Sequence, residues 1–81
     1  MRVSPTTVER DAYLVQVGLR IKAGRVLRQV SQDQLAKAAG ISRVTLGRIE
    51  RGDHAATLLT YRAIAGGLQV DAGDLLTERA L

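Results

Sequence analysis

The chemistry open to this chain lies mainly in its arginines. Between Arg20 and Arg51, eight basic residues (Arg20, Lys22, Arg25, Arg28, Lys37, Arg43, Arg48 and Arg51) face two acidic ones, Asp33 and Glu50, a local balance of +6. The whole chain of 81 residues carries +4, so the remainder is mildly acidic at −2. A basic segment of this kind fits one face that meets a polyanion. Other chemistry is poorly supplied. There is no cysteine and only one histidine, His54, so neither a thiolate nor an imidazole cluster can hold zinc, and no metal or cofactor is expected. No serine has a plausible base beyond that histidine, no glycine-rich phosphate loop is present, and the carboxylates are scattered, so an enzyme is not expected.

Positioning such a face requires a small rigid scaffold, and the pattern reads as all-α. Apolar residues recur at spacings of three and four, strand-like alternation is missing, and phenylalanine and tryptophan are absent. The first helix is expected to open in Ser4-Pro5-Thr6-Thr7, with Thr6 and Glu9 as a capping box, and to run to about Arg28 with Leu14, Val17 and Ile21 on one side. Gly18 and Gly24 weaken it, so each either permits close packing or marks a bend. Ser31 caps a second helix ending at Gly40. Ser42 caps a third that reaches Glu50 or Arg51 before Gly52. Thr57 caps a fourth reaching Gly66 or Gly67, and Asp71 caps a short fifth with Leu75 and Leu76. The expectation is one domain over residues 1–81. The opening MRVSPTTVERDA holds no apolar stretch fit for a signal peptide, and no later run is long enough to span a bilayer, so a cytoplasmic location is expected.

The segment SQDQLAKAAGISRVTLGRIERG, Ser31 to Gly52, carries the most specific pattern. Two short helices joined by a tight turn need a small residue where their axes approach, a glycine at the turn and apolar anchors on both sides. Ala36, Gly40 and the set Leu35, Ile41, Leu46 and Ile49 provide these in order. At 100° per residue, Leu46 and Ile49 face inward, which turns Val44, Gly47, Arg48 and Arg51 outward, with Arg43 and Thr45 flanking them.

Over roughly Val17 to Leu76 the chain resembles the Cro and phage-repressor family, the xenobiotic-response-element type of helix-turn-helix regulator. The resemblance rests on Ser31 and Gln32, the Leu35-Ala36 pair, Gly40, Ser42, the ending Ile49-Glu50-Arg51-Gly52, and Leu58, Ile64, Ala65, Leu68 and Val70 downstream. It implies a compact five-helix lambda-repressor-like domain whose third helix enters the major groove of double-stranded DNA. Arg43, Val44, Thr45 and Arg48 are then the residues that read base edges, an arginine suiting guanine and an exposed valine a thymine methyl. Gln32 is implied to bind a phosphate or to brace a base-contacting side chain. Lys37, Arg51, His54 and the amides opening the fourth helix at Thr57 are expected at phosphates. Arg25 and Glu50 match positions that the family pairs to fix the third helix against the first. Asp53 sits awkwardly near a phosphate and is expected to point away. The chain departs from the family pattern at Gly24, Gly47, Ala56 and Tyr61, where an apolar residue, a polar residue, proline and leucine are usual.

The resemblance implies a transcriptional regulator, a repressor or controller protein, acting as a homodimer on a pseudo-palindromic operator, with Leu75, Leu76 and Leu81 as the apolar surface for pairing. With no room for a sensing domain after Leu76, it is expected to respond through its own concentration. The alternative is an antitoxin that binds a partner toxin and regulates its own operon. Whether a toxin or RNA polymerase is a further partner is left open by the residues.

Overall fold

The structure is a computed structural model and describes residues 11–77. Among these residues the chain forms α1 (Ala12–Leu27), α2 (Gln32–Ala39), α3 (Arg43–Glu50), α4 (Leu58–Leu68) and α5 (Ala72–Leu76), with no strand. No helix among them is long and apolar enough to cross a membrane.

Most of the expected caps are in place. Ser31 Oγ accepts from the Gln34 amide while Gln34 Oε1 accepts from the Ser31 amide, a reciprocal box that satisfies two otherwise orphan donors. Ser42 Oγ and Thr57 Oγ1 each accept from the amide three residues on. Gly40 closes α2 at φ +73°, where a side chain would be strained.

The helix ends differ from expectation at three places. α1 opens at Ala12, because Asp11 is extended and its carboxylate takes the Tyr13 and Leu14 amides. The Ser4 to Thr7 segment and its capping box lie outside the described residues. α4 does not stop at Gly66 or Gly67 but runs through both to Leu68, and Gln69 closes it at φ +61°. Gly67 is there for packing: a Cβ on it would stand 2.8 Å from Leu35 Cδ1 and 3.3 Å from Ala38 Cβ, so its bareness lets α4 lie close on α2. At α5, Asp71 occupies the cap position without a side-chain bond.

The core draws on every helix. Val17 and Ile21, Leu35 and Ala36, Leu46 and Ile49, the α4 set Tyr61, Ile64, Ala65 and Leu68, and Leu75 of α5 are all buried together. Leu14 is only half-buried. Leu75, at 4% exposure, closes the monomer's own core and is withdrawn from the surface expected to pair two copies; Leu76 is half-buried, and Leu81 lies outside the described residues. Two departures from the family pattern meet in space. The Ala56 amide donates to the Tyr61 hydroxyl at 3.3 Å, a bond available only because residue 56 is not proline.

α1 packs against α3, α4 and α5. Gly18 lies where α1 crosses the end of α3, and a Cβ there would fall 2.4 Å from the Glu50 carbonyl oxygen and 2.5 Å from that of Ile49. It is therefore a close-packing glycine rather than a bend. At the other side, Tyr13 Oη donates to the Leu76 carbonyl, and Arg20 Nη1 donates to the carbonyls of Leu75 and Thr77. Side chains of α1 thus occupy acceptors that the end of α5 leaves open.

Candidate nucleic-acid interface

α3 is held on one side and bare on the other. Leu46 and Ile49 are buried, whereas Arg43, Val44, Arg48 and Arg51 are exposed, Val44 by 68%. The helix therefore presents three guanidinium groups and one branched apolar side chain on its outer face. Thr45 is half-buried in the cap: its amide donates to Ser42 Oγ, which donates in turn to Thr45 Oγ1 at 2.9 Å. That arrangement fixes the threonine rotamer at the amino end of α3.

Beneath this face lies a charged network. Glu50 is only 5% exposed, yet its carboxylate meets Arg25 Nε at 2.7 Å and Nη2 at 3.2 Å, and accepts from Gln32 Nε2 at 3.0 Å. Arg25 Nη1 also donates to the Val30 carbonyl. A carboxylate removed from water needs such partners, since an uncompensated buried charge is strongly destabilising. The network joins the end of α3 to α1 through Arg25 and to the start of α2 through Gln32. Gln32 thus meets the carboxylate that ends α3, and not one of the side chains expected to read bases.

The remaining expected residues are more dispersed. Arg51 Nε donates to Asp53 Oδ2 at 3.2 Å, so the carboxylate expected to point away is turned back onto its neighbour. Lys37 is exposed on α2, His54 is half-buried in the loop after α3, and Thr57 is exposed at the cap of α4. A groove of about 650 Å³ runs between α1 and α3, walled by Val15, Leu19 and Lys22 on one side and by Gln32, Gly47 and Arg51 on the other, with Arg25 and Glu50 also lining it.

Gly47 differs from the wheel reading. It is buried, because Arg51 and Gln32 lie over it; a Cβ would meet Arg51 Nη1 at 3.5 Å and Gln32 Nε2 at 3.8 Å. A helical wheel sees backbone direction and not the long side chains of neighbouring turns. Two further residues escaped the sequence reading. Asp33, in the first turn of α2, pairs with Arg43 Nε at 3.2 Å, and Lys22 lines the groove. The signal for Asp33 was present: it was one of only two acids in the basic segment, and it stands beside Gln32.

Comparison with known proteins places these features in a family. The family model described as helix-turn-helix matches residues 21–75. The immunity repressor protein of Bacillus phage phi105 is 42% identical over 65 residues, covering 80% of this chain and 45% of that protein, so the chain spans less than half of the repressor's length. The control protein C.SmaI of Serratia marcescens is 33% identical over 61 residues, covering 75% of this chain and 73% of the relative. Among solved structures, the restriction-modification controller protein C.AhdI from Aeromonas hydrophila superposes with a TM-score of 0.78 at 31% identity, covering 80% of this chain and 98% of that one. With buried apolar anchors on one side of α3, arginines on the other and a matching family model over most of its length, the chain belongs to the helix-turn-helix family of DNA-binding transcriptional regulators.

Proposed function

We propose that the chain acts as one domain and binds a specific duplex operator as a homodimer, with the amino end of α3 in the major groove. Arg43, Val44, Thr45 and Arg48 read base edges in this proposal; Lys37, Arg51, His54 and the amides after Thr57 meet phosphates, and Gln32 braces the motif beside them. The observation that carries it is the sidedness of α3, whose buried Leu46 and Ile49 leave Arg43, Val44 and Arg48 outward on a rigid element. Arginine forks meet guanine O6 and N7, and a valine suits a thymine methyl. The chain's similarity to a phage repressor and to restriction-modification controllers supports a repressor or controller role.

The homodimer follows from the limited reach of one helix. A single recognition helix covers a few base pairs, so a two-fold pair reading half-sites about 34 Å apart is the usual route to adequate specificity. Leu76 remains the described apolar residue for this pairing once Leu75 is assigned to the core. Selection of bound duplexes from a random pool tests the proposal as a whole. The expected result is a nearly palindromic site bound by two chains, with affinity falling steeply as salt rises. Arg43→Ala and Arg48→Ala should each cost about 1 to 3 kcal/mol of binding and relax preference at particular positions. Wild-type affinity for the selected site in both variants would show that α3 does not read it, and a monomer in sedimentation with one chain per site would remove the dimer.

A further inference from the structure

We infer that Asp33 is a specificity-determining positioning residue, which orients the Arg43 guanidinium for base reading and itself makes no base contact. The inference rests on the proposed reading of α3 and extends it to a residue outside the recognition helix.

The geometry is simple. Asp33 is the second residue of α2 and Arg43 is the first of α3, so each sits in the opening turn of its helix on either side of the Gly40 turn. The carboxylate lies 3.2 Å from Nε, at the near end of the guanidinium. Of the five N–H donors on an arginine, one is on Nε and four are on the two Nη atoms. A carboxylate beside Nε therefore leaves the Nη donors for guanine, the bidentate partner that a major-groove arginine most often takes. Holding a long side chain at one edge also reduces the rotamers it must give up on binding.

Charge makes the placement informative. Asp33 and Arg43 side chains are 78% and 60% exposed, and the carboxylate stands beside the guanidinium that opens α3. An exposed carboxylate there repels the phosphates of any duplex, so on affinity alone its presence is unfavourable. Exposed ion pairs contribute little to stability, so the pairing with Arg43 is not explained by folding. An acid that weakens binding to all duplexes while it arranges one reading side chain improves the ratio between right and wrong sequences, which is what discrimination requires.

Asp33 also has an ordinary reading, as a negative charge favoured at the amino end of α2. The two readings part on base preference. The test uses full-length protein with the duplex selected by wild type, the same duplex changed at the base pair whose preference Arg43→Ala relaxes, and an unrelated duplex of equal length. Asp33→Ala is expected to bind the unrelated duplex more tightly than wild type, while the preference between the first two duplexes falls by about two- to fivefold, the scale of an exposed ion pair. Asp33→Asn, which keeps an acceptor oxygen without the charge, should recover part of that preference. In the Arg43→Ala background, removing Asp33 should leave the preference where it was. A uniform gain across all three duplexes, with the preference intact, overturns the inference and leaves Asp33 as a helix-end charge. If wild type selects no sequence from the pool, the failure belongs to the underlying reading of α3 and is recognised before any Asp33 variant is made.

Discussion

α1 and α3 both carry arginines, but they use them in opposite ways. On α1, Arg20 donates to carbonyl oxygens at the end of α5, and Arg25 is engaged by Glu50 and the Val30 carbonyl. On α3, Arg48 is exposed on the outer face, and Arg43 meets an exposed carboxylate at the motif's surface. Counting charge along the chain adds all four to one basic segment. The fold divides them into a pair that holds helices together and a pair presented to solvent, and only the second can respond to a partner without disturbing the first.

This division predicts opposite outcomes for one substitution made in two places. Arg25→Ala leaves Glu50 buried with only the Gln32 amide beside it, which should cost about 3 to 5 kcal/mol, a large share of the roughly 5 to 15 kcal/mol that holds a small domain folded. Much of the variant should be unfolded at 37 °C by circular dichroism. Arg48→Ala should unfold within about 0.5 kcal/mol of wild type, as exposed substitutions do, while losing operator affinity. If Arg25→Ala folds normally and only binding falls, the boundary between holding and reading arginines is drawn in the wrong place.

Gly18→Ala sharpens the same comparison from the backbone side. The added methyl would stand 2.4 Å from one α3 carbonyl oxygen and 2.5 Å from the next, both of them backbone atoms that cannot turn aside. α1 must then move away from α3, stretching the Arg25 to Glu50 contact. Overpacking of this kind costs about 1 to 3 kcal/mol, which outweighs the gain in helix propensity of about 1 kcal/mol from replacing glycine. Chemical denaturation should give a lower midpoint. An unchanged or higher midpoint would mean that α1 and α3 are not in contact at Gly18.

Local chemistry was legible in the sequence, and distant pairing was not. Ser31, Ser42 and Thr57 announce helix starts because their hydroxyls act on amides three residues on, and Gly40 announces a turn because it alone tolerates the left-handed backbone at low cost. The α2 to α3 spacing and the inward set of Leu46 and Ile49 follow from helical periodicity. By contrast, the carbonyls that occupy Arg20 are 55 and 57 residues away, and nothing near Arg20 foretells them. Gly67 reads as a helix stop until Leu35 and Ala38 are seen against it, and Asp11 was overlooked because Thr6 and Glu9 offered a better-known capping pattern. The surface of α3 was legible as a face. Its cover at Gly47 and the pairing of Asp33 with Arg43 were not, since the first depends on where the Arg51 and Gln32 side chains fold and the second on how α2 lies beside the start of α3.

The smallest expected effect is at Gly47, which offers the same glycine-to-alanine change as Gly18 with the opposite sign. At Gly47 the nearest neighbours of an added methyl are the ends of two flexible side chains at ordinary contact distance, Arg51 Nη1 and Gln32 Nε2, and no backbone atom stands in the way. Gly47→Ala should therefore raise stability by about 0.5 to 1 kcal/mol, through helix propensity and a less flexible unfolded chain. Because the methyl would fill space beneath Arg51 and Gln32 instead of standing out between Val44 and Arg48, operator affinity should stay within about twofold, under 0.5 kcal/mol. Thermal unfolding and operator titration on the same variant decide the matter. Higher stability with a clear loss of affinity would show that DNA approaches the bare helix at residue 47, displacing the side chains that cover it in the free protein. Lower stability would show that the space over Gly47 is tighter than Arg51 and Gln32 allow, and would contradict the contrast with Gly18 at its simplest point.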